Sequence, residues 1–292
     1  MSAGQRLPGA PEPQHRWEGH GGTWVAGDSF GPTGGQPVML LHGAGQTRHA
    51  WKTTGDDLAA HGYRVLALDA RGHGDSDWAV DKDYSSLTMI NDVVRVAQAE
   101  FGRPPVLVGA SMGGLTSLMA IGEGHLEAAG LVLVDIAHRM SSRGGGRVRE
   151  FMDDGLDGFA SLEDAAQAIA EYQRHRQRPA STDGLAKNLR LGADGRYRWH
   201  WDPDYRTGRS GIPPKQRYLQ MVECVKNLTC PTQLIRGGMS DVLPTYAAEE
   251  FCELAPHTEY VDIAGAAHMI VGDRNDTFGT AVIDFLTRRV PA

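Results

Sequence analysis

One nine-residue stretch constrains what this chain can fold into more than any other: Val106-Leu107-Val108-Gly109-Ala110-Ser111-Met112-Gly113-Gly114. A short apolar run ends in Gly-x-Ser-x-Gly and passes at once into Leu115-Thr116-Ser117-Leu118-Met119-Ala120, a helix-forming segment. Strand, tight turn and helix in that order leave no space for side chains beside the turn, so the small flanking residues Gly109, Gly113 and Gly114 are the ones it requires. The serine between them is lifted above the sheet edge in a strained backbone conformation. Backbone N–H groups at the start of the new helix then point at whatever meets its hydroxyl.

Around this stretch the chain alternates. Apolar runs at Val38-Leu41, Arg64-Leu68, Val106-Val108, Leu131-Val134, Gln233-Ile235 and Glu259-Ile263 are separated by helix-like segments around Trp51-Ala60, Leu87-Phe101, Leu115-Gly122, Ala247-Leu254 and Thr277-Arg289. Short β-branched runs alternating with helices predict an α/β fold, a mostly parallel, doubly wound sheet with helices on both faces. Upstream, Thr23-Trp24-Val25-Ala26-Gly27-Asp28 fits part of an edge hairpin, and Gly31-Pro32-Thr33-Gly34-Gly35 is a turn signal. From about His138 to Cys224 no strand-like run occurs, while Val148-Met152 and Leu162-Tyr172 read as helices amid many charges. The expected division is therefore a disordered leader over residues 1–16, a core of residues 17–137 and 227–292, and an inserted helical cap over residues 138–226. The cap contains the aromatic cluster Tyr197-Arg198-Trp199-His200-Trp201-Asp202-Pro203, which serves either as its own small core or as a pocket wall.

Composition removes several function classes. With 41% hydrophobic residues and no apolar run near the ~18 residues of a membrane helix, insertion into a bilayer is not expected. A net charge of −7 and a pI near 5.9 argue against nucleic acid and anionic membrane as partners. The first residues, MSAGQRLPGAPEPQHR, lack the apolar stretch of a signal peptide, so the expected location is cytoplasmic. Cys224, Cys230 and Cys252 have no metal-binding spacing and read as reduced thiols. The glycine runs Gly34-Gly35 and Gly144-Gly145-Gly146 do not follow a strand in dinucleotide-binding form, and no metal or other cofactor is implied.

In an open α/β sheet ligands bind beyond the carboxyl ends of the strands, so the residues that follow each apolar run carry the chemistry. They are His42-Gly43-Ala44-Gly45 after Leu41, Asp69-Ala70-Arg71-Gly72-His73-Gly74-Asp75-Ser76 after Leu68, Ser111 after the elbow strand, Asp135 after Val134, Arg236-Gly237-Gly238-Met239-Ser240-Asp241 after Ile235, and Ala264-Gly265-Ala266-Ala267-His268 after Ile263. In this order they resemble the α/β-hydrolases, and the likeness runs from about Trp17 to Leu286. The resemblance implies a cap-bearing serine hydrolase, esterase-like, with Ser111 as nucleophile, His268 as general base and Asp241 as the acid that orients it. It also implies an oxyanion hole made by the main-chain N–H groups of Ala44 and Met112. Physical chemistry asks for the same parts: a hydroxyl attacks only when an imidazole takes its proton, and the imidazole works only when a carboxylate fixes its tautomer and stabilises its cation.

Asp135 is the alternative acid, because both loops occupy a position that such enzymes use. Asp241 is preferred for its approach through Arg236-Gly237-Gly238, whereas Asp135, where the cap begins, could bond instead to backbone, His138 or Arg139. His42, Trp199 and Trp201 are candidate pocket residues, with His42 more often a structural hydrogen-bonding group in such a loop. Asp69, Arg71 and His73 read as a charged turn bonded to nearby backbone. The expected activity is cleavage of a small carboxylic ester or related acyl substrate through an acyl-enzyme. The alternatives are a hydrolase of diketone carbon–carbon bonds, a lactonase or a cofactor-free perhydrolase, and, from another class, a ligand receptor that turns nothing over.

Overall fold

A computed structural model describes residues 3–172, 183–207, 211–266 and 275–292 of the chain. Its strands are β1 (Gln5–Arg6), β2 (His15–Glu18), β3 (Trp24–Phe30), β4 (Pro37–Leu41), β5 (Arg64–Leu68), β6 (Val106–Ala110), β7 (Gly130–Val134), β8 (Leu189–Leu191), β9 (Tyr197–Trp199), β10 (Thr232–Gly237) and β11 (Glu259–Ile263). The helices are α1 (Lys52–Ala60), α2 (Ser86–Glu100), α3 (Met112–Gly122), α4 (Ser142–Asp153), α5 (Leu162–Tyr172), α6 (Pro214–Lys226), α7 (Thr245–Leu254) and α8 (Asn275–Arg289). Eight strands form the main sheet in the order β11-β10-β7-β6-β4-β5-β3-β2. From β11 to β5 every neighbouring pair is parallel, and the edge pair β3 and β2 runs antiparallel.

The central strands are apolar at every position because both faces are covered. Met39 and Leu41 of β4, Leu66 and Leu68 of β5, Leu107 of β6 and Leu131 and Leu133 of β7 share one buried layer with α2, α3, α6 and α7. The alternate residues Val38, Leu40, Val65, Val106, Val108, Val132 and Val134 pack on the other face against Trp51 and Leu58, beside and in α1, and Phe278, Phe285 and Leu286 of α8. The period of two thus divides each run between two helical layers.

The interval from β7 to β10 contains strands as well as helices. β8 and β9 pair antiparallel, and β1 adds to β8 with Gln5 opposite Leu191. Two expectations change as a result. Residues 3–16 of the expected disordered leader are described, and they include β1 and the start of β2, held because their backbone groups complete two sheets. The insertion is not helical throughout, because Leu189-Arg190-Leu191 and Tyr197-Arg198-Trp199 are runs too short to stand out from sequence yet pair across the turn at Gly195. Its last helix, α6, belongs to the core layer: Met221, Cys224 and Val225 lie in the same buried cluster as Leu118 and Met119 of α3. A methyl group on Gly122 would stand 2.4 Å from the Cα of Cys224, so only glycine permits this approach of α3 and α6.

Described residues of the rest of the insertion pack against residues that follow the carboxyl ends of the strands, Ala44, Ala70 and Met112 among them. Met152, Leu189, Trp199, Trp201 and Tyr205 are buried together with Leu7 of the N-terminal segment and with Met112 at the start of α3. Buried charge ties these parts together. Arg48, fully buried, pairs with Asp28, Asp69 and Asp75 and donates to the Pro11 carbonyl, while Arg190 of β8 and Arg6 of β1 meet the other oxygen of Asp75. Asp69 is therefore paired with a side chain as well as with backbone: burial alone would raise its pKa, but Arg48, His42 and the N–H groups of Arg48 and Asp75 together hold it below the ordinary value. Arg71 likewise forks onto both oxygens of Asp92. Among the described residues no helix is long and apolar enough to cross a membrane.

Candidate active site

The turn that carries Ser111 is forced by contact. A methyl group on Gly109 would stand 2.5 Å from the Gly113 carbonyl carbon, one on Gly113 2.2 Å from the Leu41 oxygen, and one on Gly114 2.4 Å from Ile136 Cγ2. Strand, turn and helix therefore touch backbone to backbone. Ser111 takes up the reversal with φ 46° and ψ −110°, a region that costs a non-glycine residue on the order of 1–3 kcal/mol. Its N–H donates to Val134 of the neighbouring strand at 3.2 Å, which fixes the serine beside the end of β7.

The loop after β4 lies against it. A methyl group on Gly43 would come within 3.3 Å of Ser111 Cβ, so this glycine lets the loop approach the hydroxyl. The Gln46 side chain accepts the Gly43 N–H at 2.9 Å and the His42 carbonyl accepts the Gly113 N–H at 3.1 Å. Met112 stands first in α3, where an N–H has no acceptor within its own helix. The His42 ring is buried behind the loop. Its Nε2 accepts the Ala70 N–H at 3.0 Å, which leaves Nδ1 as the protonated nitrogen facing the Gly43 carbonyl at 2.8 Å. Burial lowers its pKa, against the opposing pull of Asp69 and the Gly43 carbonyl. Among the described residues, His42 lines a small cavity of about 30 Å³ together with Leu41, Asp69, Met112 and Gly113.

The two carboxylates have different surroundings. Asp135 is fully buried, with φ 51°, directly after the strand that receives the Ser111 N–H. Its Oδ1 accepts the Gly237 N–H at 2.9 Å and its Oδ2 accepts the Ser240 hydroxyl at 2.5 Å. His138 and Arg139, the partners open to Asp135 from sequence, turn instead to Glu250 of α7. Asp241 is about one-third exposed and paired with Arg147 of α4, whose guanidinium also donates to the Tyr172 carbonyl and lies over its ring. Burial and the neighbouring Asp241 charge push the Tyr172 hydroxyl up to about 12. His268 lies outside the described residues.

Trp199 and Trp201 stack on each other, 5.0 Å between ring centroids, and are 4% and 3% exposed. They form the core of the insertion, braced by Phe151 and Phe159 and by the Trp199 Nε1–H bond to the Asp154 carbonyl. Trp201 also reaches the loop after β4, since a methyl group on Gly45 would lie 3.4 Å from its ring. Two residues bear on the site without having stood out in the sequence. Tyr205 donates its hydroxyl to Met112 Sδ at 2.8 Å, a link from the insertion to the elbow that no motif announces. Ser240 precedes the more conspicuous Asp241; its signal is only that a hydroxyl sits within a turn that follows a core strand.

A family profile described as the alpha/beta hydrolase fold matches residues 36–274, and the chain belongs to that family. Among its relatives is the esterase Rv0045c of Mycobacterium tuberculosis, 26% identical over 243 residues, which cover 81% of this chain and 78% of that protein. Among solved structures, an alpha/beta hydrolase from Novosphingobium aromaticivorans superposes with a TM-score of 0.77 at 24% identity, covering 94% of this chain and 98% of its own. E-2-(acetamidomethylene)succinate hydrolase gives 0.79 at 18% identity, covering 93% and 98%. Esterases and other hydrolases among the relatives support a hydrolase on this fold.

Proposed function

We propose that the chain is a serine hydrolase that cleaves a small carboxylic ester or related acyl compound, with Ser111 as nucleophile, His268 as general base and Asp135 as the acid. The observation that carries the reading is the junction of Ser111 with Gly43 on one side and with the end of β7, where Asp135 begins, on the other. Asp135 replaces Asp241 in the role first expected of the latter because its carboxylate is buried at the end of the strand adjoining the elbow, whereas that of Asp241 is engaged at the surface by Arg147.

In this reading Ser111 Oγ attacks the acyl carbon while His268 takes its proton. The N–H groups of Ala44 and Met112 stabilise the negative charge that develops on the carbonyl oxygen, each lowering the barrier by about 3 kcal/mol in comparable enzymes. The proton passes to the departing alcohol as the carbon–oxygen bond breaks, and water then hydrolyses the acyl-enzyme by the same groups in reverse roles. The insertion acts as a cap over this edge and governs which acyl groups enter.

Labelling with a fluorophosphonate tests the nucleophile directly. One equivalent should attach at Ser111, and Ser111→Ala should lose both labelling and turnover by a factor on the order of 10⁶ while its stability stays within about 1 kcal/mol of the parent. Stoichiometric labelling elsewhere, or several per cent of activity left in the variant, would remove Ser111 from the role. A receptor that turns nothing over would show no hydrolysis across p-nitrophenyl esters of graded length, lactones and diketones.

A further inference from the structure

We infer that Ser240 is a positioning residue for the acid Asp135 and thereby sets the pH at which the proposed triad becomes active; this rests on the Ser111–His268–Asp135 reading above. The argument is one of hydroxyl valence. A serine hydroxyl has one proton to give and two lone pairs to receive. Ser240 Oγ receives the N–H groups of Val242 and Leu243, each at 3.1 Å, so both acceptor positions are filled by backbone. Its proton has one remaining direction, and Asp135 Oδ2 stands there at 2.5 Å. The loop that holds Ser240 is itself closed by the Ser240 N–H bond to the Gly237 carbonyl at 2.8 Å, and the Gly237 N–H takes Asp135 Oδ1. One loop after β10 therefore holds each carboxylate oxygen by one donor, and the plane of the carboxylate cannot turn without breaking a bond. In the Gly237-Gly238-Met239-Ser240-Asp241 motif the chain supplies the acid with a donor, while the aspartate itself faces Arg147.

Among the described residues, the following charged and titratable groups on the elements around Asp135 have partners of their own. Arg236 of β10 donates to the Leu243 carbonyl and pairs with Asp262 of β11; Asp241 pairs with Arg147 of α4; His138 and Arg139, downstream of Asp135 in the insertion, meet Glu250 of α7, which also accepts the Tyr218 hydroxyl of α6. Ser240 is the side chain of the β10 loop through which the charge on Asp135 is tuned, beside the Gly237 N–H. Removing its donated proton leaves the carboxylate less neutralised, so it holds the imidazolium more tightly, and the base is freed only at higher pH.

The test is the pH dependence of kcat/KM for one p-nitrophenyl ester with the parent, Ser240→Ala, Ser240→Cys and Ser240→Thr, alongside Asp135→Ala. Ser240→Ala should lower kcat/KM about tenfold, the scale of one hydrogen bond to a charged group, and move the acid limb of the profile to higher pH. Ser240→Cys, which keeps the volume with a weaker donor, should move the limb the same way by less, and Ser240→Thr should restore the parental profile. A loss of thermal stability with the acid limb unmoved in both Ala and Cys variants overturns the proposal. If Asp135→Ala is inactive while both are parental, only the role of Ser240 falls; if Asp135→Ala is active, the triad reading falls with it.

Discussion

Exchanging each of the two candidate acids for its amide separates them, because the structure assigns the two substitutions different costs. At Asp135 the carboxylate receives the Gly237 N–H on one oxygen and the Ser240 hydroxyl on the other. An asparagine offers one oxygen and one NH₂, so one of those donors must face another donor in a fully buried site. Leaving such a group unsatisfied costs about 1–3 kcal/mol of stability. The catalytic cost is larger, since an amide can neither fix the imidazole tautomer nor support its cation, and amidating the acid of a serine triad lowers kcat by about 10⁴. At Asp241 the side chain is 37% exposed and its partner Arg147 43%, so amidation removes a solvent-screened ion pair. Its stability cost is no more than about 1 kcal/mol, and kcat should stay within a factor of about three. Measuring kcat for Asp135→Asn and Asp241→Asn on one ester at neutral pH, with melting temperatures for both, completes the comparison. A larger loss of kcat at position 241 would refute the argument from burial and return the acid to the loop after β10.

Three further outcomes follow from contacts around the site. Deleting residues 1–11 removes buried Leu7, the Arg6–Asp75 ion pair and the Pro11 carbonyl from Arg48, so the melting temperature should drop by about 4 °C and limited proteolysis should cut the insertion sooner; unchanged proteolysis would mean that β1 is not what secures β8. Trp201→Ala should cost about 3–5 kcal/mol in a urea titration with little change in ester chain-length preference, because the ring is stacked and buried; a changed preference at parental stability would make it a pocket wall. The pH dependence of stability should come from neutral imidazoles withdrawn from solvent: burial lowers the pKa of His42, holds His200 well below its usual range and takes the half-buried His49 to about 4. A folded-state pKa below the unfolded one means the unfolded chain binds the extra proton, so this stability is whole above about pH 6.5 and is lost as pH falls below it. Melting temperatures between pH 7 and 5 should decline, and a His200→Gln variant, though less stable throughout, should decline less steeply; parallel curves would exclude His200 as a source.

The fold was legible where local pattern and tertiary environment agree. Val38-Leu41 and Leu131-Val134 read as buried strands because both faces of those strands are covered, and the glycines at 109, 113 and 114 read as a tight turn because backbone does touch backbone there. The N-terminal segment and the insertion were read less well for a common reason. Gln5-Arg6, Leu189-Leu191 and Tyr197-Trp199 have two or three residues each, too few for any period to show; Gln5-Arg6 finds its partner only at Leu191 and Arg190, far along the chain, and the other two runs pair with each other across a short turn. Strands of this kind are specified by their neighbours more than by themselves.

The site divides along a similar line. Ser111 could be read from the sequence because its requirement is local, a turn that only small residues can flank. The two candidate acids are not separated in the same way, because nothing local distinguishes an aspartate that ends a strand from one that follows a strand by four residues. What distinguishes them is where the donors converge: the β10 loop directs a backbone N–H and a hydroxyl at Asp135, while α4 brings Arg147 to Asp241 from nearly a hundred residues away. A carboxylate serving an imidazole must be held in one plane and kept from other cations. By that criterion the proposed acid is Asp135, to which the loop after β10 contributes through its serine, while the aspartate of that loop pairs with Arg147.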